Sequence, residues 1–238
     1  MYNIYKFIPF GERTQPRIVE QEKENIEKFS RHIHQVIVKQ LLTLIAIILE
    51  LPEDYFVERH RYDAESDCHL RYMKYKARGG QENNILKDVW TKSHSDFGSL
   101  TLLFRQPVAA LQVQTADGWK WVKPLPGSIT VNVADTLQFW TNGFLRSSIH
   151  RVVAPPDDQA HIDRLGLLYM LRPENEVDLK PAESPLLERL GLKKPALETE
   201  GLKGGAWVKA RVAGNLDTKI GYLNEKDFLA HLSKGVKV

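Results

Sequence analysis

The run His94-Ser95-Asp96-Phe97-Gly98-Ser99-Leu100-Thr101-Leu102-Leu103-Phe104 decides how the rest of the chain is read. Its second half is a dense series of Leu, Thr and Phe, which suits a half-buried pleated surface, so a strand is predicted there, entered through a loop at Gly98. Ahead of the strand stand a histidine and a carboxylate two residues apart. In an extended segment positions i and i+2 project to one face, so His94 and Asp96 can offer a nitrogen and an oxygen to a common point.

Working outward, similar short apolar runs occur at Leu70–Tyr75, Leu111–Thr115, Trp119–Val122, Ile129–Val133, Leu137–Trp140, Ser147–Val153 and Leu165–Leu171. Turn signals separate them at Ala116-Asp117-Gly118, Pro124 to Gly127 and Asn142-Gly143, and Gly79-Gly80 marks Ala77–Asn84 as a loop. Short strands at regular spacing predict an antiparallel sandwich or barrel.

Upstream, residues 20–50 contain neither Gly nor Pro. There Ile26, Phe29, Ile33, Val36, Ile37, Leu41, Leu44, Ile45 and Ile48 recur at three- and four-residue steps, which predicts a long helix. Leu41–Leu49 is apolar nearly all round, so that half is expected to be deeply buried. Pro52 ends the helix, and a second short one is expected from Pro52-Glu53-Asp54-Tyr55-Phe56. Residues 1–19 read as irregular. Beyond Pro173 the chain turns proline- and charge-rich, with helices expected near Ala206–Ala213 and Glu225–Leu232. The organisation is a helical scaffold over residues 1–65, a β core over 66–175 and a helical tail over 176–238, in one structural domain. The fold class is mainly β with flanking helices.

At 238 residues the chain can bury a substantial core without disulfides or a structural metal. Lys and Arg exceed Asp and Glu by only +3, with no basic cluster, which argues against nucleic acid as a partner. Cys68 is the single cysteine, which excludes an internal disulfide and suits a reducing cytosol. The uninterrupted apolar stretches fall short of the roughly 20 residues of a membrane span. The first residues do not read as a signal peptide. The expectation is a soluble cytoplasmic protein with no membrane or nucleic-acid partner.

A further histidine, His150, lies inside the run Ser147–Val153. Two histidines and a carboxylate occupy one face of an octahedral ion and leave positions open, an arrangement that suits non-haem Fe(II) in oxygen-activating enzymes. Spacing alone fits equally well a solvated Asp and two hydrogen-bonded histidines. His32 and His34 face different ways on the predicted helix and read as surface or interface residues. His60, His69, His161 and His231 have no ligand-like neighbours. Arg164 opens a later run. Turned into an apolar barrel, its guanidinium fork would need an anion such as a carboxylate; at a strand edge it would need only water. Tyr75 could donate to the same anion, or pack in the core with its hydroxyl at the rim.

The stretch from His94 to Phe104 resembles the first metal-ligand strand of the isopenicillin N synthase-like 2-oxoglutarate/Fe(II) dioxygenases. So, in order, do Leu111-Gln112-Val113, Trp121 to Ser128, Val131 to Asp135, Thr141-Asn142-Gly143, Ser147 to Val152 and Arg164 to Tyr169. The resemblance implies a double-stranded β-helix, or jelly roll, with His94, Asp96 and His150 as iron ligands. It implies that Arg164 pairs with the distal carboxylate of the cosubstrate 2-oxoglutarate, assisted by Tyr75. The implied activity is hydroxylation or desaturation of a small molecule of specialised-metabolite type with O2, coupled to decarboxylation of 2-oxoglutarate. Phe97, Phe104, Phe139 and Trp140 are candidate pocket residues, or ordinary core aromatics.

The chain departs from the family pattern in three ways. Gly166 stands where a serine usually assists the arginine, and Met73 where an asparagine usually precedes the tyrosine. The chain also begins near the end of the family's usual N-terminal region. That last departure leads to an expected open apolar patch near the barrel mouth and to self-association. It also supports a rival reading, a non-catalytic jelly roll that retains the iron-ligand motif. A hydrolytic zinc site lacks a nominated acid/base carboxylate.

Overall fold

The structure, a computed structural model, describes residues 1–5, 15–192 and 202–212. The expected Glu225–Leu232 helix and His231 lie outside the described residues. Two antiparallel sheets form the body. The larger has the order β1 (Tyr2–Tyr5), β2 (His69–Tyr75), β9 (Arg164–Leu171), β4 (Leu100–Phe104), β7 (Ile129–Val133). The smaller has the order β3 (Val89–His94), β8 (His150–Val153), β5 (Leu111–Thr115), β6 (Gly118–Trp121). Apart from the β5–β6 hairpin, neighbours in space are distant in sequence, as in a jelly roll.

Strand alternation gives the large sheet two different faces. The register pairs Leu70 with Tyr169, Leu102 with Tyr169 and Leu100 with Leu171. These side chains are buried in one cluster with Ile33, Val38, Leu42, Ala46 and Leu49 from the N-terminal helices. The opposite parity carries Arg71, Met73 and Tyr75 on β2, Arg164, Gly166 and Leu168 on β9, and Thr101 and Leu103 on β4. That face, polar and mixed in character, looks into the barrel.

The helical scaffold consists of α1 (Arg17–Gln21), α2 (Lys23–His32), a π-helical turn at Ile33–Val38 and α3 (Lys39–Ile48). The π turn sits where the helix buries a polar residue. His34, read as a surface or interface residue, is buried; its Nδ1 lies 2.7 Å from the Tyr169 hydroxyl and its Nε2 faces the His60 carbonyl oxygen. His32 is exposed as expected. The expectation that Leu41–Leu49 is buried all round is corrected. Leu42, Ala46 and Leu49 are buried, while Leu44, Ile47 and Ile48 are 55%, 49% and 57% exposed on the outer face of α3, away from the barrel interior. One helix resting on one sheet face can bury only one stripe. The expected short helix after Pro52 is reduced to turns and a 3-10 segment at Val57–Arg59.

The helix Lys23–Ile48 is also long and apolar enough, by length and composition, to cross a membrane. Uninterrupted apolar runs do not reveal this, and core helices share the property. In this fold its inner stripe is what seals the sheet.

Other differences are local. Tyr2–Tyr5, read as irregular, adds strand β1 to the edge of β2. Gly80–Ile85, read as loop, forms the short helix α4, and Leu137–Trp140, read as strand, forms α5 (Asp135–Trp140). Val89–His94, outside the predicted strands, is strand β3. Every residue of α5 but Gln138 is buried, so it lacks the alternation of a half-exposed helix and is as apolar as a buried strand. α6 (Pro185–Arg189) and α7 (Gly204–Val212) complete the described elements, and Trp207 of α7 is fully buried.

Candidate active site

His94 ends β3 and His150 opens β8, and the two are register partners across the small sheet. Asp96 follows in the loop that leads to β4. One ligand atom from each of the three lies within 4.8 Å of the others. The histidines aim the same ring nitrogen inward: Nε2 of His94 and Nε2 of His150 each stand 3.9 Å from an Asp96 carboxylate oxygen. Their other nitrogens face backbone carbonyls, His94 Nδ1 to Lys92 O at 2.8 Å and His150 Nδ1 to Ser148 O at 2.9 Å. A carbonyl only accepts, so each Nδ1 carries a proton and each ring turns its Nε2 toward the shared point. Burial, reinforced by His150, holds the His94 pKa below its ordinary value, which favours its neutral form.

Asp96 is 8% exposed. Burial pushes its pKa up, but His150 and the hydrogen bonds donated by Asn132 (3.1 Å) and Thr101 (2.7 Å) outweigh burial, and the net shift is downward. The carboxylate is therefore held ionised and oriented through Oδ2. A second carboxylate braces the ligand segments. Asp135, at the start of α5, accepts from Ser95 at 3.2 Å and Ser147 at 2.7 Å, and its backbone N–H donates to the Asp96 carbonyl at 2.8 Å. Two imidazoles and one carboxylate on one side, with the other side open to a cavity, fit an octahedral Fe(II) better than a closed four-ligand zinc site.

That cavity, of about 370 Å³, runs from the triad to Arg164. Arg164 is 4% exposed, its Nε has no hydrogen-bond partner, and burial lowers its pKa. Its guanidinium carbon stands 5.4 Å from the ring centroid of Tyr75, its register partner on β2. The Tyr75 hydroxyl is 3.0 Å from Thr91 Oγ1 and the ring stacks on Trp90, so Tyr75 is fixed beside the arginine. A buried cation with a bare N–H at the end of a cavity is a receptor for an anion.

Gly166 leaves no vacant space. A Cβ there would lie 2.9 Å from Gln106 Nε2 and 3.3 Å from Met73 Cβ. Gln106 is buried with neither amide atom hydrogen-bonded. The four candidate aromatics separate. Phe97 borders a cavity at the triad, Phe104 packs on Phe29 at 5.2 Å, and Phe139 and Trp140 belong to the core cluster. For Phe139 and Trp140 the pocket reading is corrected: α5 turns both into the core. Among the described residues, His60 and His69 join no metal-ligand cluster.

The geometry thus brings three side chains that could hold a metal ion and a buried, incompletely hydrogen-bonded arginine to one cavity. Residues 61–173 match the 2OG-Fe(II) oxygenase superfamily model. Over those residues the chain is similar to that superfamily. It is 34% identical over 209 residues to UPF0676 protein C1494.01 of Schizosaccharomyces pombe, covering 86% of this chain and 60% of that protein. It is 31% identical over 186 residues to a 2-oxoglutarate-dependent dioxygenase of Aspergillus fumigatus, covering 70% of this chain and 47% of the relative. The chain thus spans about half to three-fifths of the length of these relatives. In fold it is similar to a full-length Neurospora crassa protein solved in complex with alpha-KG, with a TM-score of 0.76, 24% identity and coverage of 89% of this chain and 68% of that one.

Sequence reasoning missed Thr101, Asn132, Asp135, Gln106, Arg71 and Arg172. For Thr101 and Asn132 a signal existed. Both sit in quoted runs at strand positions opposite in parity to Leu100, Leu102, Val131 and Val133, hence on the barrel face. Gln106 and Asp135 lie outside strands, where parity says nothing.

Proposed function

We propose that this chain is a 2-oxoglutarate- and Fe(II)-dependent oxygenase that hydroxylates or desaturates a small organic molecule with O2. The observation that carries the reading is the single cavity joining His94, Asp96 and His150 to the buried, incompletely hydrogen-bonded Arg164. The naming of relatives as 2-oxoglutarate-dependent dioxygenases supports it.

His94 Nε2, His150 Nε2 and an Asp96 oxygen would hold the metal. Bound there, Fe(II) supplies the redox chemistry that couples decarboxylation of 2-oxoglutarate to oxidation of the substrate by O2. The chain's own groups do the positioning. Arg164 pairs with the distal carboxylate, and Tyr75 steadies it from the adjacent strand. Thr101 and Asn132 keep Asp96 ionised and aimed. Leu103, Leu111, Val113 and Leu168 wall the cavity and limit water around the bound dianion, which strengthens its pairing with Arg164.

Succinate formation from 2-oxoglutarate tests this. The purified chain with Fe(II) is expected to form succinate slowly alone and faster with an accepted substrate, in both cases only with O2. No succinate under any condition would favour the rival, a non-catalytic jelly roll that retains the ligand motif. Self-association belongs to the same proposal. Leu44, Ile47 and Ile48 offer an apolar face to a second copy, and light scattering with Leu44→Glu against the unmodified chain reads it.

A further inference from the structure

The triad borders two cavities. His94, Asp96 and Arg71 line both the cavity that ends on Arg164 and another, of about 480 Å³, on the other side. The second also ends on an arginine. Arg172 follows β9 and continues the alternate positions 164, 166, 168 and 170. It is 5% exposed, and its Nε and Nη1 have no hydrogen-bond partner. Its backbone is fixed by Cys68, whose sulfur lies 3.1 Å from the Arg172 nitrogen and 3.2 Å from its carbonyl oxygen. Gly98 underlies the side chain; a Cβ there would meet Leu171 O at 2.1 Å and Arg172 Cδ at 3.0 Å. The guanidinium is thus held in place with N–H groups that neither protein partners nor bulk water satisfy, a costly state that an incoming anion relieves.

The surrounding charge agrees. Arg71 borders the same cavity, tethered through Nε to Asn3 Oδ1 at 3.0 Å, and Lys209 stands at its edge. Among the described residues the acidic groups there are Asp67 and Asp96, and Asp96 is taken up by the metal set. His69 also borders it and is neutral near pH 7, since burial drives its pKa down to about 3. Phe97 and Met170 supply apolar wall to the same cavity, and the Arg172 guanidinium carbon lies 5.8 Å from the Phe97 ring centroid.

We propose that this second cavity is the substrate pocket and that Arg172, supported by Arg71, anchors a substrate carboxylate while the adjoining carbon skeleton lies along Phe97 toward the triad. The substrate class is a small carboxylic acid with an apolar body. The inference rests on the oxygenase reading above.

The test uses the full chain loaded with Mn(II) and saturating 2-oxoglutarate, titrated calorimetrically with phenylacetate and hydrocinnamate and with their neutral primary amides. At least one acid is expected to bind at least about tenfold tighter than its amide, the scale of a charge-assisted hydrogen bond. That preference should disappear in Arg172→Gln and Arg172→Met and persist in part in Arg172→Lys, with 2-oxoglutarate affinity unchanged. Retained 2-oxoglutarate binding also reports that each variant is folded, and the acid-against-amide comparison needs no variant. Equal binding of acids and amides, binding of neither, or a preference that survives loss of Arg172 would overturn the proposal. If the unmodified chain does not bind 2-oxoglutarate, the oxygenase reading itself has failed.

Discussion

Replacing Arg164 by methionine should act in opposite directions on the free and the ligand-bound protein. In the ligand-free chain Arg164 is 4% exposed, its Nε has no partner, and its guanidinium carbon lies 5.4 Å from the Tyr75 ring centroid. Methionine fills a similar length without the desolvation cost, so calorimetric stability without ligand should be unchanged or higher. With 2-oxoglutarate the same substitution leaves a carboxylate in a walled cavity without its counter-charge. Breaking a buried pair in that way costs about 3–5 kcal/mol. At about 1.4 kcal/mol per factor of ten, the dissociation constant rises by roughly two to three and a half orders of magnitude. Water entering from the triad side favours the lower end of that range. The assay is calorimetric titration of 2-oxoglutarate into Mn(II)-loaded protein, beside thermal unfolding without ligand. Arg164→Lys, which keeps the charge but loses the planar fork, should fall between. A dissociation constant within about threefold of the unmodified chain's, with the fold intact, would refute the assignment of the carboxylate to Arg164.

Thr101→Val removes the 2.7 Å hydrogen bond to Asp96 while keeping shape; metal affinity should fall about 10- to 100-fold, read by Mn(II) titration, with little change in unfolding temperature. Gly166→Ser should not tighten 2-oxoglutarate binding, because the new Cβ would lie 2.9 Å from Gln106 Nε2; the double variant with Gln106→Ala should bind better than Gly166→Ser alone, measured by the same titration. Acid should destabilise the fold through His69, whose pKa falls from 6.5 to about 3 on folding. The unfolded chain takes up that proton first, so the stability is complete above pH 6.5 and is lost progressively as pH falls toward 3, and His69→Gln should flatten unfolding temperature against pH across that window.

The sequence carried the barrel because alternation in Leu100–Phe104, Leu111–Thr115, Ile129–Val133 and Leu165–Leu171 is set by burial of one face, which residue types report directly. It carried the convergence of His94, Asp96 and His150 only through ordered motifs, because pairing of β3 with β8 is a long-range register that no local pattern encodes. The same limit explains the errors. Leu137–Trp140 is apolar enough for a strand, yet its chain turns into a helix whose first residue, Asp135, bridges Ser95 and Ser147. Leu44, Ile47 and Ile48 look like core, but the sheet has only one face for the helix to cover. Arg172 was invisible as a site residue because its meaning lies in the absence of a partner, a property of packing and not of residue type.

The central claim is that His94, Asp96 and His150 share one ion. Anaerobic crystals of the chain grown with Mn(II) and 2-oxoglutarate, measured at the manganese edge, test it most directly. A single anomalous peak is predicted, bonded to His94 Nε2, His150 Nε2 and an Asp96 oxygen at about 2.0–2.2 Å, the range of such nitrogen and oxygen ligands, with the ligand's far carboxylate against Arg164. An ion bound elsewhere, or any of the three side chains turned away from it, would contradict the account.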